Sequence, residues 1–192
     1  MTPVKKVCVI TGGTSGIGLC TAQAMLEKGY TVYELSRRAE GAPGMKHIMA
    51  DVTKEETLAA AVQEILKQED HIDVLINNAG IFSFLDILRT PAERIERIIL
   101  LHDLTNTQLC RLYAADMACR GRGGHILNMS SYSLWMPFPG LSLYSASKAY
   151  LRAFSVAFAK EVRDEGIRVT AVCPAGVATD LYGLTPRWQR IG

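Results

Sequence analysis

Tyr144 and Lys148 stand four residues apart in Tyr144-Ser145-Ala146-Ser147-Lys148. A helix through this segment puts both side chains on one face near its start. The pairing suits proton transfer. A tyrosine hydroxyl ordinarily ionises near pH 10, and an ammonium beside it favours the phenolate. Ser131 precedes Tyr144 by thirteen residues. From there a hydroxyl can hydrogen-bond a carbonyl oxygen and support its developing negative charge. Tyrosine–lysine pairs at this spacing are common on helix surfaces. The serine ahead of this one and the ordered motifs before it make it a candidate catalytic group.

Thr11-Gly12-Gly13-Thr14-Ser15-Gly16-Ile17-Gly18 follows a β-branched run and opens a helical stretch. Glycines here allow a tight turn and let backbone amides approach a pyrophosphate. The helix N-terminus adds N–H groups and positive dipole charge. Gly12, Thr14, Ser15, Gly16, Ile17 and Gly18 are therefore candidate phosphate-binding residues. The segment lacks a Gly-Lys-Ser/Thr ending, which argues against a P-loop. Further along, Asn77-Asn78-Ala79-Gly80 ends a short apolar run. Two amide side chains there can tie neighbouring loops together.

These groups need elements to hold them. Short apolar runs over Val7–Ile10, Thr31–Leu35, His47–Met49, Val74–Ile76, His125–Met129 and Arg168–Val172 read as strands buried on both faces. Helical periodicity covers approximately Ile17–Lys28, Glu55–Gln68, Ala92–Ala118 and Leu143–Glu165. Gly29, Gly121, Gly123, Gly124 and Gly166 sit where helices should end. Strand–helix alternation predicts an α/β, doubly wound parallel sheet, Rossmann-like, with about six strands and helices on both faces.

Composition agrees with a globular chain. The 192 residues are 48% hydrophobic and 21% charged, with a net charge of +2. That charge is too small for a nucleic-acid surface. No apolar run reaches the roughly 18 residues that span a bilayer. A soluble cytoplasmic protein is expected. Cys8, Cys20, Cys110, Cys119 and Cys173 are odd in number and scattered, so they read as small core residues. The four histidines, including His47 and His102, show no metal-ligand spacing. No metal is expected.

In their order, these motifs resemble the short-chain dehydrogenase/reductase family from about Lys5 to Leu181. Thr-Gly-x-x-x-Gly-x-Gly, Asn-Asn-Ala-Gly after the fourth strand, and Ser131 with Tyr144-x-x-x-Lys148 carry the resemblance. The resemblance puts Ser36 at the adenosine ribose, followed by Arg37 and Arg38. A carboxylate there would select NAD by repelling a 2′-phosphate, whereas a hydroxyl and guanidinium suit that phosphate. NADP(H) is therefore preferred, and NAD(H) is the lesser choice. Glu34 is the opposing feature, but it lies two positions short of the ribose and on a different side from Leu35. Asp51 and Val52 resemble the family's adenine-contacting pair, and Asp51 can serve a helix N-terminus as well. Asn78, Ala79 and Gly80 would border the cofactor. Pro174, Val177 and Thr179 resemble the loop beside the nicotinamide, with Ala175 in place of the usual glycine.

Asp103 departs from the pattern. It stands twenty-eight residues before Ser131, where the family carries an asparagine that helps hold a water linking the lysine to solvent. A carboxylate lacks the amide donor and adds negative charge near Lys148. The implied activity is hydride transfer between NADP(H) and a carbonyl/alcohol substrate, with Tyr144 as general acid/base. Apolar residues around Phe82, Phe84, Trp135 and Phe138 favour a hydrophobic small molecule. A nucleotide-binding regulatory or scaffold protein with little turnover is the alternative, and an epimerase or dehydratase would share the Tyr/Lys pair. The resemblance also implies a homo-oligomer, commonly a dimer through the long helices. Family members continue for several tens of residues after the Pro-Gly-like loop. Residues 1–192 are thus expected to be one domain lacking its C-terminal, substrate-covering part.

Overall fold

The computed structural model describes residues 5–177. Six parallel strands are β1 (Lys6–Thr11), β2 (Tyr30–Ser36), β3 (Lys46–Met49), β4 (Val74–Asn77), β5 (Gly124–Met129) and β6 (Ile167–Val172). Their spatial order is β3-β2-β1-β4-β5-β6. The order reverses between β1 and β4, so the carboxyl ends of these two strands open a crevice at the switch point. Register is continuous across the sheet, with Ile10 opposite Ile76 and Asn77 opposite Asn128.

Both faces are covered. Val7, Val9, Leu75 and Ile126 join one core cluster, while Cys8, Ile10, Val32 and Ile76 join another. This explains the unbroken apolar runs, since each successive strand residue faces a different core. Helices α1 (Gly16–Glu27), α2 (Glu55–Gln68), α3 (Ala92–Ile99), α4 (Asn106–Arg120) and α5 (Ser142–Glu161) make the crossovers. Left-handed backbone at Gly121 (φ 65°) ends α4, as the missing Cβ permits.

One predicted helix is interrupted. Periodicity joined Ala92 to Ala118, but residues Leu100–Thr105 form a widened π turn between α3 and α4. Such a turn leaves main-chain carbonyls without their usual partners. Polar side chains supply donors: Thr105 Oγ1 donates to the Leu100 carbonyl at 2.8 Å, and Asn106 Nδ2 to the Leu101 and His102 carbonyls at 3.0 and 2.6 Å. The turn rotates His102 into the interior, where it is 0% exposed.

The cysteine expectation holds in part. Cys8 and Cys110 are buried, but Cys20 and Cys119 are exposed and Cys173 is half-buried. Cys20 and Cys119 lie on the outward faces of α1 and α4, so they are not core residues. Among the described residues, no cluster of His, Cys, Asp or Glu could hold a metal. No helix there is long and apolar enough to cross a membrane.

Candidate active site

Every loop leaving the carboxyl edge of the sheet contributes to one cavity of about 610 Å³. At the switch point, the turn after β1 is held by its neighbours. Thr11 Oγ1 accepts the Asn78 and Ala79 N–H groups at 3.1 and 3.0 Å, and Asn78 Nδ2 donates to the Thr11 and Gly12 carbonyls, both at 3.1 Å. Gly12 has φ +68°. A Cβ on Gly18 would lie 2.2 Å from the Gly12 carbonyl oxygen and 2.3 Å from Asn78 Nδ2. The backbone is thus pressed together where a side chain cannot fit. Ser15 takes extended backbone at the N-terminus of α1, and its side chain makes no capping bond there.

Gly12, Thr14, Ser15, Gly16, Ile17 and Gly18 all line the cavity. So do Ser36, Arg37 and Arg38 after β2, Asp51 and Val52 after β3, and Asn78, Ala79 and Gly80 after β4. Arg38 Nη1 reaches back to the Thr14 carbonyl at 3.3 Å. Asp51 Oδ1 accepts the Thr53 N–H at 3.1 Å and its hydroxyl at 2.7 Å, shaping the approach to α2. Pro174 and Val177 line the far side, and Thr179 lies outside the described residues.

Ser131, Tyr144 and Lys148 face the same space. Lys148 is only 4% exposed. Its Nζ donates to the Met129 carbonyl at the end of β5 at 2.8 Å, while Ser130 Oγ donates to the Lys148 carbonyl at 2.7 Å. Strand end and helix are thereby locked together. Burial lowers the Lys148 ammonium to about 8, although the nearby Asp103 carboxyl opposes this. Lys148 Nζ lies 5.7 Å from the centre of the Tyr144 ring. Phe82 packs edge-on to that ring at 5.2 Å. Ser131 Oγ accepts the Ser133 N–H at 3.2 Å, which turns the chain away from the strand.

The profile of the short chain dehydrogenase family matches residues 6–190. The chain belongs to the short-chain dehydrogenase family. It is 34% identical to carbonyl reductase family member 4 of Xenopus laevis over 185 residues, covering 93% of this chain and 78% of that protein. It is also similar to the Brucella melitensis 3-ketoacyl-(acyl-carrier-protein) reductase solved in complex with NADH. That match has a TM-score of 0.84, 27% identity, and coverage of 95% of this chain and 81% of that one. ElxO with NADP bound matches with a TM-score of 0.85 at 28% identity, over 93% and 77% of the two chains.

Within this short-chain dehydrogenase, the structure adds residues that sequence reasoning passed over. His102 Nε2 accepts the Ile81 N–H at 2.9 Å. Its Nδ1 must therefore carry the hydrogen, which goes to Ser147 Oγ at 2.8 Å, and Ser147 in turn donates to the Tyr144 carbonyl at 2.8 Å. Burial holds the His102 imidazolium form down to about 2, with the Lys148 charge adding to the effect. A neutral histidine thus ties the Asn-Asn-Ala-Gly loop to α5. Asp103, next to it, is half-buried. Burial raises its carboxyl to about 6, against the lowering effect of Lys148. Its Oδ1 has no hydrogen-bond partner among the described residues. Arg97 of α3 and Leu101 also line the cavity. Nothing in their sequence context marks them, because their position depends on where the interrupted helix crosses the crevice.

Proposed function

We propose that this chain is an NADP(H)-dependent oxidoreductase that interconverts a carbonyl and an alcohol. The observation that carries this reading is the shared cavity. A glycine cradle and an arginine-bearing strand end occupy one part of it, and Ser131, Tyr144 and a buried Lys148 another. The cradle supports a dinucleotide because the crowding at Gly12 and Gly18 leaves only main-chain groups at those positions to face a pyrophosphate. When bound, a nicotinamide coenzyme supplies or accepts the hydride.

The chain's own residues do the rest. The backbone at Gly12 and Thr14–Gly18 holds the pyrophosphate. Ser36, Arg37 and Arg38 receive the 2′-phosphate, and Asp51 and Val52 border the adenine. Asn78, Ala79 and Gly80 would border the cofactor, Lys148 would hold the nicotinamide ribose, and Pro174 and Val177 would flank the nicotinamide; Thr179, of the same sequence motif, lies outside the described residues. Ser131 orients the substrate oxygen. Tyr144 Oη gives its proton to that oxygen during reduction and takes it back during oxidation. Below about pH 8 Lys148 is an ammonium, and its charge favours the Tyr144 phenolate. Asp103 alters the path by which that proton returns to solvent. Phe84 packs on Phe138 with ring centres 6.2 Å apart; both are exposed, and neither lines the cavity, so the apolar-substrate reading rests on the sequence pattern alone.

Tyr144→Phe is the direct test. NADPH oxidation with a panel of ketones is expected to fall about 10²- to 10⁴-fold. The NADPH Kd should stay within a few-fold of the parent's. A parent protein that binds NADPH yet turns over none of the panel would instead favour the regulatory reading.

A further inference from the structure

Glu34 is 0% exposed and lies two residues before Ser36. A carboxylate with no water around it needs partners. Glu34 Oε1 accepts the Gly13 N–H at 3.0 Å. Its Oε2 lies 2.6 Å from His47 Nδ1 and accepts the Ser36 hydroxyl at 3.3 Å. His47 Nε2 lies 2.9 Å from the Arg38 carbonyl oxygen. Arg38 Nη1 then bonds the Thr14 carbonyl. These contacts close a ring: glycine-rich loop, β2, β3, arginine turn, and back to the loop.

Counting protons fixes the charge. The Arg38 carbonyl can only accept, so His47 Nε2 carries a hydrogen. A second hydrogen must lie between Nδ1 and Oε2, because two bare lone pairs would repel each other at 2.6 Å. Whichever atom holds it, Glu34 and His47 together carry no net charge. The chain makes room for the pair with glycine on both sides. A Cβ on Gly13 would lie 2.6 Å from Glu34 Cγ, and one on Gly41 would lie 2.4 Å from His47 Cβ.

We infer that His47 cancels the charge of Glu34 and so acts as a specificity-determining residue for NADP(H) over NAD(H). This inference rests on the NADP(H) reading above. A carboxylate at the ribose end of β2 would repel a 2′-phosphate. Here the carboxylate braces the phosphate loop from beneath, and its charge is cancelled before the phosphate can sense it. Ser36, Arg37 and Arg38 are left to present a net positive surface. His47 also holds the Arg38 main chain in place, so both effects point towards the same coenzyme.

The test is calorimetric titration of NADPH and of NADH into the parent, His47→Ala, Glu34→Gln and the double variant. His47→Ala is expected to raise the NADPH Kd relative to the NADH Kd by about tenfold, the scale of one unit charge acting across several ångströms of protein. Glu34→Gln keeps the Gly13 bond and should hold the ratio within about threefold of the parent. The double variant should return most of the way to the parent ratio, because the uncompensated charge is gone. Equal weakening of both coenzymes in His47→Ala, or a double variant that retains the altered ratio, would overturn the inference. His47→Gln leaves Glu34 equally uncompensated and gives the same readout should the alanine variant not fold. The parent's own ratio tests the coenzyme reading separately: a parent without preference for NADPH sinks that reading, whereas the inference stands or falls on how the ratio changes.

Discussion

Asp103 places a half-buried carboxyl beside a buried lysine, and the two respond oppositely to pH. Burial favours neutral Asp103, whose carboxyl rises from 3.8 to about 6. The folded state thus binds the proton more tightly than the unfolded chain. Its contribution to stability is fully present below about pH 4 and is lost as pH rises through about 6. Asp103→Asn removes the ionised form. Urea unfolding should show the variant about 1 kcal/mol more stable than the parent at pH 8, after discounting for partial exposure, and little changed near pH 4. A gain of equal size at both pH values would contradict this. The same variant is expected to turn over faster near pH 8, and no gain at any pH would sink the altered-relay reading. Asp103 could be noticed from sequence because it breaks a pattern. What Glu34, His47 and His102 bond to could not be read there, because their partners are 21, 13 and 45 positions away in the chain. Nothing local marks a buried carboxylate as bonded to a glycine N–H.

At the scale of elements, the π turn decides what helix α5 rests on. Periodicity reads a helix wherever apolar spacing persists, and one widened turn leaves that spacing almost intact. Its consequence is spatial. It puts His102 between the Ile81 main chain and Ser147 of α5, with the His102 and Tyr144 rings 5.9 Å apart. His102→Leu would leave the Ile81 N–H and the Ser147 hydroxyl short of partners. Destabilisation of about 1–3 kcal/mol is expected by chemical denaturation. The fall in kcat should exceed any change in NADPH Kd, since the histidine braces α5 and the loop after β4. Unchanged stability and kcat would show that water replaces the ring at no cost. The six strands, by contrast, were legible within a residue or two at each end. Buried parallel strands advertise themselves by consecutive β-branched residues.

At the scale of the molecule, α5 packs beside α3 and the π turn, and the Tyr150 hydroxyl meets Thr107 Oγ1 at 2.8 Å across this outer face. Leu104, Tyr150 and Val156 remain exposed on these helices. They support the reading that a second copy covers this surface. Sedimentation velocity is expected to show a species larger than the monomer, and Tyr150→Glu should shift it towards monomer. A monomeric parent at micromolar concentration would refute that reading.

The sequence by itself determined the alternation of strands and helices, the glycine cradle after β1, and the Ser131, Tyr144 and Lys148 group. Each is a local pattern in the chain, and the apolar alternation and the Tyr144–Lys148 spacing follow from the periods of strand and helix. The tertiary structure decided that Lys148 is buried, that Glu34 and His47 meet beneath the glycine-rich loop, and that His102 joins the loop after β4 to α5. Those facts depend on which distant groups the fold brings within hydrogen-bonding distance, and on how far it excludes water from them.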